Sequence, residues 1–218
     1  MKAPDLVTMH VLDKSFYLHD DVVDVSRQLL GKVLVSNIDG AITRAVITET
    51  EAYDGPTDRA SHAWNNRRTA RTEPLFADGG IAYVYLCYGI HHLFNVVSNV
   101  AGRPHANLVR AGRCVEGLET MLERRGADKE KVLMNGPGTF GQAMGITTAL
   151  SGESLLGKRL WIEDYGIGSA EEHIEIGPRI GIDYAGQDVS KPYRFVLNRV
   201  GIGEWFDRYR HVRLDPAG

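Results

Sequence analysis

Acidic and phenolic side chains occupy every second position in the segment Glu49-Thr50-Glu51-Ala52-Tyr53. Because residues two apart share one face of an extended strand, Glu49, Glu51 and Tyr53 would point to the same side. A carboxylate placed in this way is able to take a proton from water or to stabilise positive charge that develops on a substrate. A half-buried strand whose polar face lies in water would show the same periodicity, so the pattern alone leaves both interpretations open.

A second group of aromatic residues lies about thirty positions further along the chain. Tyr83 and Tyr85 would share one face of a strand, and Tyr88 follows beside Gly89, at a break where a side chain can project outward. Together with Tyr53 these rings would form an aromatic wall. Such walls suit flat ligands, since base–aromatic stacking contributes about 1 to 3 kcal/mol per base and a cationic ring adds a cation–π term. Tyrosines packed in a β core are the ordinary alternative.

Histidine is a common metal ligand, and the candidates in this sequence are His62, His91 and His92. Adjacent histidines on a strand face opposite ways, and no spacing of Cys, His or Asp supplies a third ligand. We therefore expect no metal site and no cofactor. A metal-dependent hydrolase built on the two histidines together with Glu49 and Glu51 is the weakest alternative. The sequence also lacks a Gly-x-Ser-x-Gly elbow, a P-loop and a His-Glu-x-x-His motif.

The run from Gly136 to Gly141 matches the glycine fingerprint of dinucleotide-binding folds. However, Pro137 stiffens the run, and neither a preceding strand nor a downstream acidic partner frames it. Two interpretations remain. The run is either a tight turn that feeds a helix whose free N–H groups hold a phosphate, or a plain helix start.

The elements that must position these residues follow from apolar periodicity and turn signals. The spacing of valines and leucines predicts a helix from Asp21 to Leu30 that begins at Asp20 or Asp21 and ends at Gly31. Asp39-Gly40 indicates a hairpin, and the polar run from Thr57 to Pro74 indicates a long loop. Strands are predicted at 32–36, 41–53, 81–86, 93–98, 107–111, 159–163 and 193–197, and further helices at 115–124 and 139–144. Hairpin-type connections without a regular βαβ period favour a mixed α+β domain.

Composition sets limits on the class of protein. At 218 residues we expect one domain, 1–218. The net charge of −3 gives no global basic signal, so nucleic-acid binding would depend on local clusters such as Arg67, Arg68 and Arg71. Two isolated cysteines, Cys87 and Cys114, and the lack of a long apolar segment predict a cytoplasmic protein that does not contact a membrane, associated with the nucleoid if the source is bacterial.

Several separate segments, in order and spacing, resemble the alkyladenine (3-methyladenine) DNA glycosylase family. The resemblance spans nearly the whole chain from about Val22. Besides the acidic strand and the tyrosine strand, it is carried by Gly55-Pro56, 58–62, 108–111, 116–122, Asn135-Gly136-Pro137, Gln142-Ala143, Pro178-Arg179-Ile180-Gly181, Lys191-Pro192 and Arg194-Phe195. It implies a single mixed domain with a curved antiparallel sheet, surrounding helices and a protruding tyrosine-bearing hairpin that enters the minor groove of DNA.

The resemblance also implies roles in the chemistry. Glu51 matches the family's catalytic carboxylate, and it is the family rather than the strand pattern that selects Glu51 over Glu49. Arg110 and the backbone carbonyl of Ile180 match groups that hold the attacking water together with Glu51. Tyr88 matches the side chain that intercalates into the duplex.

Further matched positions concern the extruded base. Tyr53, His62 and Tyr85 match the residues that sandwich it, and the backbone near Ala60 and His62 lies where the family reads the purine edge. Asn95 matches the residue that clashes with the 2-amino group of normal guanine. The implied activity is base-excision repair, in which alkylated or deaminated purines are flipped out of double-stranded DNA and released by a water activated by Glu51. We expect a monomer without lyase activity, because no lysine falls among the matched positions.

The sequence departs from the family at two places. The lysine common after the Gly136-Pro137 turn is replaced by Thr139 or Phe140, and His91 stands where other members carry different neighbours of the intercalating residue. Together with the low net charge, the missing lysine leaves an alternative function, a damaged-DNA binding protein of the same fold with little or no catalytic activity.

Overall fold

Antiparallel strands organise the chain in the computed structural model, which describes residues 9–212. Within this range nine strands form one sheet in the order β1-β7-β2-β3-β6-β5-β4, and β9 pairs with both β3 and β8. The strands are β1 (His10–Val11), β2 (Val33–Ile38), β3 (Ala41–Tyr53), β4 (Ile81–Cys87), β5 (His91–Ser98), β6 (His105–Glu116), β7 (Leu160–Asp164), β8 (Ile174–Gly177) and β9 (Arg194–Leu197). The helices are α1 (Lys14–Tyr17), α2 (Val22–Gln28), α3 (Leu118–Arg125), α4 (Pro137–Ala143) and α5 (Arg199–Tyr209). The predicted single mixed α+β domain with a curved antiparallel sheet is confirmed.

The hairpin between β2 and β3 has the turn chemistry that its sequence indicates. Asp39 and Gly40 have φ of 54° and 82°, and they connect β2 to β3 with Ile38 paired to Ala41. A two-residue turn with positive φ at both positions matches the right-handed twist of the strands, and Asp-Gly is a favoured sequence for it. The Asp39-Gly40 hairpin is therefore confirmed.

The helix α2 begins where its sequence predicts and ends at Gln28, two residues before the predicted end at Leu30. The side chain of Asp21 accepts hydrogen bonds from the N–H groups of Val23 and Asp24, which caps α2. After the helix, Gly31 adopts φ +79°, and a Cβ there would lie 3.2 Å from the carbonyl oxygen of Ile167. Apolar side chains of α2 join the main core, which packs α2, α3 and α4 against the sheet.

Several boundaries differ from the prediction. Val115 and Glu116 belong to β6, and α3 starts only at Leu118, after Gly117 with φ 83°. The pairing of Glu116 with Arg44 of β3 extends the strand over residues that were predicted to be helical. This is tertiary pairing that overrides local propensity.

The C-terminal helix α5 and the short strands β1 and β8 were not predicted. Gly201 and Gly203 lower the helix propensity of α5, which obscured its periodicity. The helix is held by packing instead, because Trp205 is buried and donates from its indole N–H to the carbonyl oxygen of Gly31 at 2.8 Å. Asn198 caps the helix through the N–H of Gly201.

The glycine run at α4 allows this helix to lie very close to β5. A Cβ on Gly141 would lie 2.3 Å from the carbonyl oxygen of His92, and one on Gly138 would lie 2.7 Å from the ring of His91. Contacts this short are tolerated only by glycine, so helix–strand packing accounts for these two residues. The run starts a helix, as both interpretations predict, and α4 begins at Pro137.

Candidate active site

A row of paired residues crosses four strands and fixes the centre of the site. Tyr83 pairs with Asn95, Asn95 with Leu108, and Leu108 with Glu51. Directly paired residues place their side chains on the same face of a sheet, so β4, β5, β6 and β3 each contribute one side chain to a common surface. Glu51 therefore lies beside the tyrosine-bearing hairpin although the two are separated in sequence.

Irregular pairing between β3 and β6 brings an arginine to this surface. The register shifts between Ile47 and Glu49 and again between Glu49 and Thr50, where Val109 and Ala111 are the partners on either side of Arg110. A bulge redirects a side chain out of the regular alternation. Arg110 donates from Nε to Oε1 of Glu49 at 2.9 Å, and its Nη1 lies 3.4 Å from Oε1 of Glu51.

Glu51 is buried and fully hydrogen-bonded. The hydroxyl of Tyr53 donates to Oε2 at 2.8 Å, and the backbone N–H of Ile180 donates to Oε1 at 2.8 Å. Burial raises the pKa of Glu51 above its usual value, while Arg110, Ile180 and Tyr53 act against this rise. A carboxylate that keeps its charge in such an environment is a strong base compared with an exposed one, because the protonated form is favoured by desolvation.

Glu49 differs from Glu51 in its partners. Its Oε1 accepts from Nε of both Arg110, at 2.9 Å, and Arg194, at 2.6 Å. Two guanidinium groups thus neutralise Glu49, whereas Glu51 receives a phenol, a backbone N–H and one more distant arginine. The strand pattern treated the two carboxylates alike, and their surroundings in the structure distinguish them.

An open cavity of about 390 Å³ lies against the row of paired residues. This volume falls within the usual range for small-molecule sites. Of the predicted site residues, those that line it are Tyr53, Ala60, His62, Tyr85, Tyr88, Asn95, Arg110 and Ile180. Glu51 does not line the cavity itself, since its side chain is fully buried, but the three residues that contact its carboxylate all do. The carboxylate therefore lies immediately behind the cavity wall.

His62 and Tyr85 form one aromatic wall of this cavity. Their ring centroids are 4.5 Å apart at an interplanar angle of 77°, and Arg71 covers the ring of Tyr85 with its guanidinium 5.3 Å from the centroid. Burial, followed by the charge of Arg71, lowers the pKa of His62 to about 4, so the imidazole is neutral near pH 7.

Hydrogen-bonding groups hold the His62 ring in place. Nη2 of Arg71 lies 3.0 Å from Nε2 of the ring and 3.2 Å from Nδ1. Nδ1 also lies 2.9 Å from the hydroxyl of Tyr83. A neutral ring held in this way presents an aromatic surface without a charge that would repel a cationic ligand.

Backbone groups of the loop after β3 reach the same cavity. The N–H of Ala60 donates to Oδ1 of Asp58 at 3.1 Å, and the carbonyl oxygen of Ala60 accepts from the hydroxyl of Tyr184 at 3.1 Å. For the N–H of His62, the described part of the chain provides no acceptor. Asn95 is buried, and its Nδ2 donates to the carbonyl oxygens of Tyr83 and Leu93. These bonds fix the position of its side chain in the cavity wall.

Tyr88 stands at the tip of the hairpin formed by β4 and β5. Its side chain is 89% exposed, and its φ of 51° is followed by 73° at Gly89. A left-handed conformation costs a bulky residue about 1 to 2 kcal/mol, so the conformation that exposes this ring destabilises the hairpin. Leu86 and Ile90, also exposed, flank it. The predicted protruding tyrosine-bearing hairpin is present.

Asp58 and Arg179 form a buried ion pair, and no sequence pattern predicted that these two residues are partners. Arg179 donates to both carboxylate oxygens of Asp58 and, at 2.9 Å, to the carbonyl oxygen of Ala52, and its guanidinium lies 4.7 Å from the centroid of the Tyr53 ring. It thereby connects the segment that contains Ile180 to β3 and to the loop after it. The one sequence feature that could have drawn attention to Arg179 is its position next to Ile180 in the motif Pro178-Arg179-Ile180-Gly181.

The remaining histidines do not join the site. Nδ1 of His92 accepts from the N–H of Thr148, and His91 packs against Gly138. Among residues 9–212, His, Cys, Asp and Glu side chains form no group of three or more that could hold a metal ion. In the same range, none of the helices is long and apolar enough to cross a bilayer.

Comparison with known proteins assigns this arrangement to a class, the DNA glycosylases, which are hydrolases of the N-glycosidic bond and act in DNA repair. The chain is 45% identical over 190 residues to a protein of Chlamydia felis, covering 86% of this chain and 96% of that protein. It is 40% identical over 188 residues to one of Natranaerobius thermophilus (85% and 94%) and 43% identical over 193 residues to one of Bacillus cereus (83% and 92%). All three are named "Putative 3-methyladenine DNA glycosylase".

The family follows from a match of the sequence to a family model. The model described as Methylpurine-DNA glycosylase (MPG) matches residues 15–200. This range contains every predicted site residue and all of the sheet except β1. The chain belongs to the methylpurine-DNA glycosylase family, and the family resemblance of the sequence is confirmed.

Proposed function

We propose that this protein removes alkylated and deaminated purines, of the 3-methyladenine, 7-methylguanine and hypoxanthine type, from double-stranded DNA in base-excision repair. The observation that carries the proposal is the position of Glu51, whose buried carboxylate lies directly behind an aromatic cavity of about 390 Å³. Its contacts with Tyr53, Ile180 and Arg110 hold it at the wall of that cavity. A nucleobase has to leave the duplex to reach such a site, so the reaction requires base flipping.

In the proposed reaction, Glu51 activates the water. The bond between C1′ and the purine nitrogen breaks with its electron pair on the base, which leaves an oxocarbenium-like sugar. Water forms the new bond to C1′, and Glu51 takes its proton while its charge stabilises the sugar, much as one carboxylate does in glycosidases. Arg110 and the backbone of Ile180 orient the water and the carboxylate. Each carboxylate oxygen of Glu51 accepts one bond, from the Tyr53 hydroxyl or the Ile180 N–H, and has a second lone pair that is able to accept from the water.

Selectivity in this proposal comes from flipping and stacking before the chemistry begins. N-alkylated purines carry positive charge and leave readily, and damaged bases cost less to unpair. Tyr53, Tyr85 and the neutral ring of His62 would stack on the base, and Tyr88 would fill the gap that it leaves in the duplex. Asn95, fixed by two hydrogen bonds, would exclude the 2-amino group of guanine.

The proposed enzyme is monofunctional. An enzyme that also cleaves the strand uses an amine nucleophile that forms a Schiff base with the sugar. The residues that line the cavity include arginine but no lysine. Water is therefore the proposed nucleophile, and the strand remains intact after base release. We also propose that one domain, 1–218, acts as a monomer on one damaged duplex.

The test is free-base release from duplexes that contain a single hypoxanthine, with Glu51→Gln beside the wild type. The amide keeps the volume of the side chain and removes the base, so release is expected to fall by at least about a thousandfold while duplex binding is retained. Glu49→Gln is the matched control, and it is expected to keep measurable release. Full activity of Glu51→Gln would remove Glu51 from the mechanism. Tight lesion binding by the wild type without any free base would favour the non-catalytic damage-binding function, and trapping of a covalent adduct with borohydride would contradict monofunctionality.

A further inference from the structure

Arg194 on β9 is a charged residue beside the site to which the proposed reaction gives no role. It pairs directly with Glu51 across the two strands, so its side chain lies on the same face of the sheet as the carboxylate. Its Nε donates to Oε1 of Glu49 at 2.6 Å. Arg194 does not line the cavity, so any effect that it has on the reaction passes through other residues.

The two carboxylates lie on β3, and each strand beside this part of β3 contributes one arginine. Arg110 comes from β6 and Arg194 from β9, and both donate from Nε to the same oxygen, Oε1 of Glu49. Arg110 also reaches towards the second carboxylate, with Nη1 3.4 Å from Oε1 of Glu51. Glu49 therefore holds one end of the Arg110 guanidinium, and the other end faces Glu51.

These four side chains form a charge-balanced cluster of two carboxylates and two guanidinium groups. None of them is more than 28% exposed. Burial raises the pKa of Glu51, and the like charge of Glu49 adds to this rise. Without Arg194, one guanidinium would face two carboxylates, and the excess negative charge would favour the protonated form of Glu51.

The other ionisable groups that act on Glu51 do not alter this balance. Three of them are phenols, those of Tyr53, Tyr85 and Tyr184. Burial raises the pKa of each phenol, so all three are neutral near pH 7. The guanidinium of Arg179 is charged, but its partner Asp58 compensates it.

We propose that Arg194 is a positioning residue of the site: by sharing Oε1 of Glu49 with Arg110, it fixes the Arg110 guanidinium beside Glu51 and balances the charge of Glu49. This inference rests on the proposed function, because it concerns the carboxylate that activates the water. It adds a role for Arg194 and Glu49 that depends on the presence of both charges.

The experiment is a charge-complementation series, measured as single-turnover pH–rate profiles on a duplex with a single hypoxanthine. Arg194→Gln leaves an excess negative charge, so the acid limb is expected to move to higher pH, and release at a pH on that limb should fall at least about threefold. Glu49→Gln leaves the opposite excess, so its limb should move to lower pH. The double variant Glu49→Gln/Arg194→Gln is balanced again, and glutamine keeps an acceptor oxygen for Arg110, so its limb should return close to that of the wild type. Arg194→Lys, which keeps the charge, should also keep the limb in place.

Arg44→Gln is the matched control. The Arg44 side chain is 21% exposed and contacts two glutamates, Glu116 and Glu163, but it lies at the opposite end of β3 from Glu51. Its loss is expected to leave the acid limb unchanged. The pH of the limb does not depend on the fraction of protein that is folded, so a loss of stability does not imitate the effect. An unmoved limb in Arg194→Gln, or a double variant displaced as far as Arg194→Gln, would overturn the role of Arg194.

Failure of this inference and failure of the proposed function give different results. The titration of the Glu51 carboxyl is also measured without catalysis, from its carbon-13 NMR signal. Retained release by Glu51→Gln would contradict the proposed mechanism, whereas the NMR titration of Arg194→Gln would still report whether Arg194 acts on Glu51. Loss of release by Glu51→Gln, together with a titration that Arg194→Gln leaves unchanged, would reject the role of Arg194 alone.

Discussion

The backbone N–H of Ile180 donates to Oε1 of Glu51 across 129 residues of sequence, at 2.8 Å. Tyr53 donates to the other oxygen of the same carboxylate. With one donor on each oxygen, the rotation of the carboxyl group is fixed before a substrate arrives. The cost is desolvation, which raises the pKa of Glu51 and makes its charge sensitive to the surrounding groups.

The first prediction concerns pH. In the proposed mechanism Glu51 accepts a proton only when it is deprotonated, so base release should fall as the pH falls through its pKa, which lies above the usual 4.5. Arg110 favours the charged form, so Arg110→Gln should raise the pKa of Glu51 further and move the acid limb to higher pH. Single-turnover pH–rate profiles of the wild type and of Arg110→Gln measure the two acid limbs. Arg67→Gln, at a residue without a contact to Glu51 in the described part, should leave the limb in place. An acid limb at the same pH in the Arg110 variant would contradict this account.

The second prediction separates fold stability from function at the hairpin tip. Asparagine tolerates the left-handed conformation better than tyrosine does, so Tyr88→Asn should leave the free energy of unfolding unchanged or raise it by up to about 1 kcal/mol. Base release from duplex DNA should nevertheless fall at least about tenfold, because asparagine does not fill the gap in the base stack. Urea unfolding and release assays check the two parts. Release from a single-stranded substrate should fall less, and an equal loss on both substrates would argue against intercalation.

The third prediction concerns the buried pair of Asp58 and Arg179. Removing one partner leaves an uncompensated buried charge, so Arg179→Met should lower the free energy of unfolding by about 3 to 5 kcal/mol, measured by urea denaturation. The matched control is the exposed pair of Arg68 and Glu73. Because water screens that pair, Arg68→Met should lower the free energy of unfolding much less than Arg179→Met does. Similar losses in the two variants would show that burial does not set the cost.

The fourth prediction concerns the protonation of His62. With a pKa of about 4, the ring should stay neutral down to about pH 5. Arg71→Leu removes the nearby positive charge and should raise the pKa of His62. Nitrogen-15 NMR of the imidazole ring reports its charge as a function of pH. A ring protonated at pH 6 in the wild type would refute the assignment.

The extent to which the sequence predicts this protein depends on the range of the interactions. Local signals were sufficient for α2, with its Asp21 cap and Gly31 stop, and for the Asp39-Gly40 hairpin. The predicted helix over Val115 and Glu116 was wrong, because pairing with β3 decides the end of β6. The propensity of α5 is weakened by glycine, and its packing against the sheet stabilises it.

The candidate site likewise has features that follow from local sequence and features that depend on long-range contacts. Alternation correctly placed Glu51 and Tyr53 near each other, and the family resemblance supplied the residues that line the cavity. Periodicity did not distinguish Glu49 from Glu51, since their difference comes from Arg110 and Arg194, on two other strands. The same applies to Tyr184, whose contact with Ala60 spans 124 residues.

The row from Tyr83 through Asn95 and Leu108 to Glu51 means that the site is complete only when four strands are assembled in register. Insertion of a single residue into β6 would turn Leu108 to the opposite face and separate the carboxylate from the hairpin. Long-range pairing of this kind forms late and cooperatively. A nascent or partly unfolded chain therefore lacks the assembled site. In refolding experiments, base release should appear in the same kinetic phase as the native sheet.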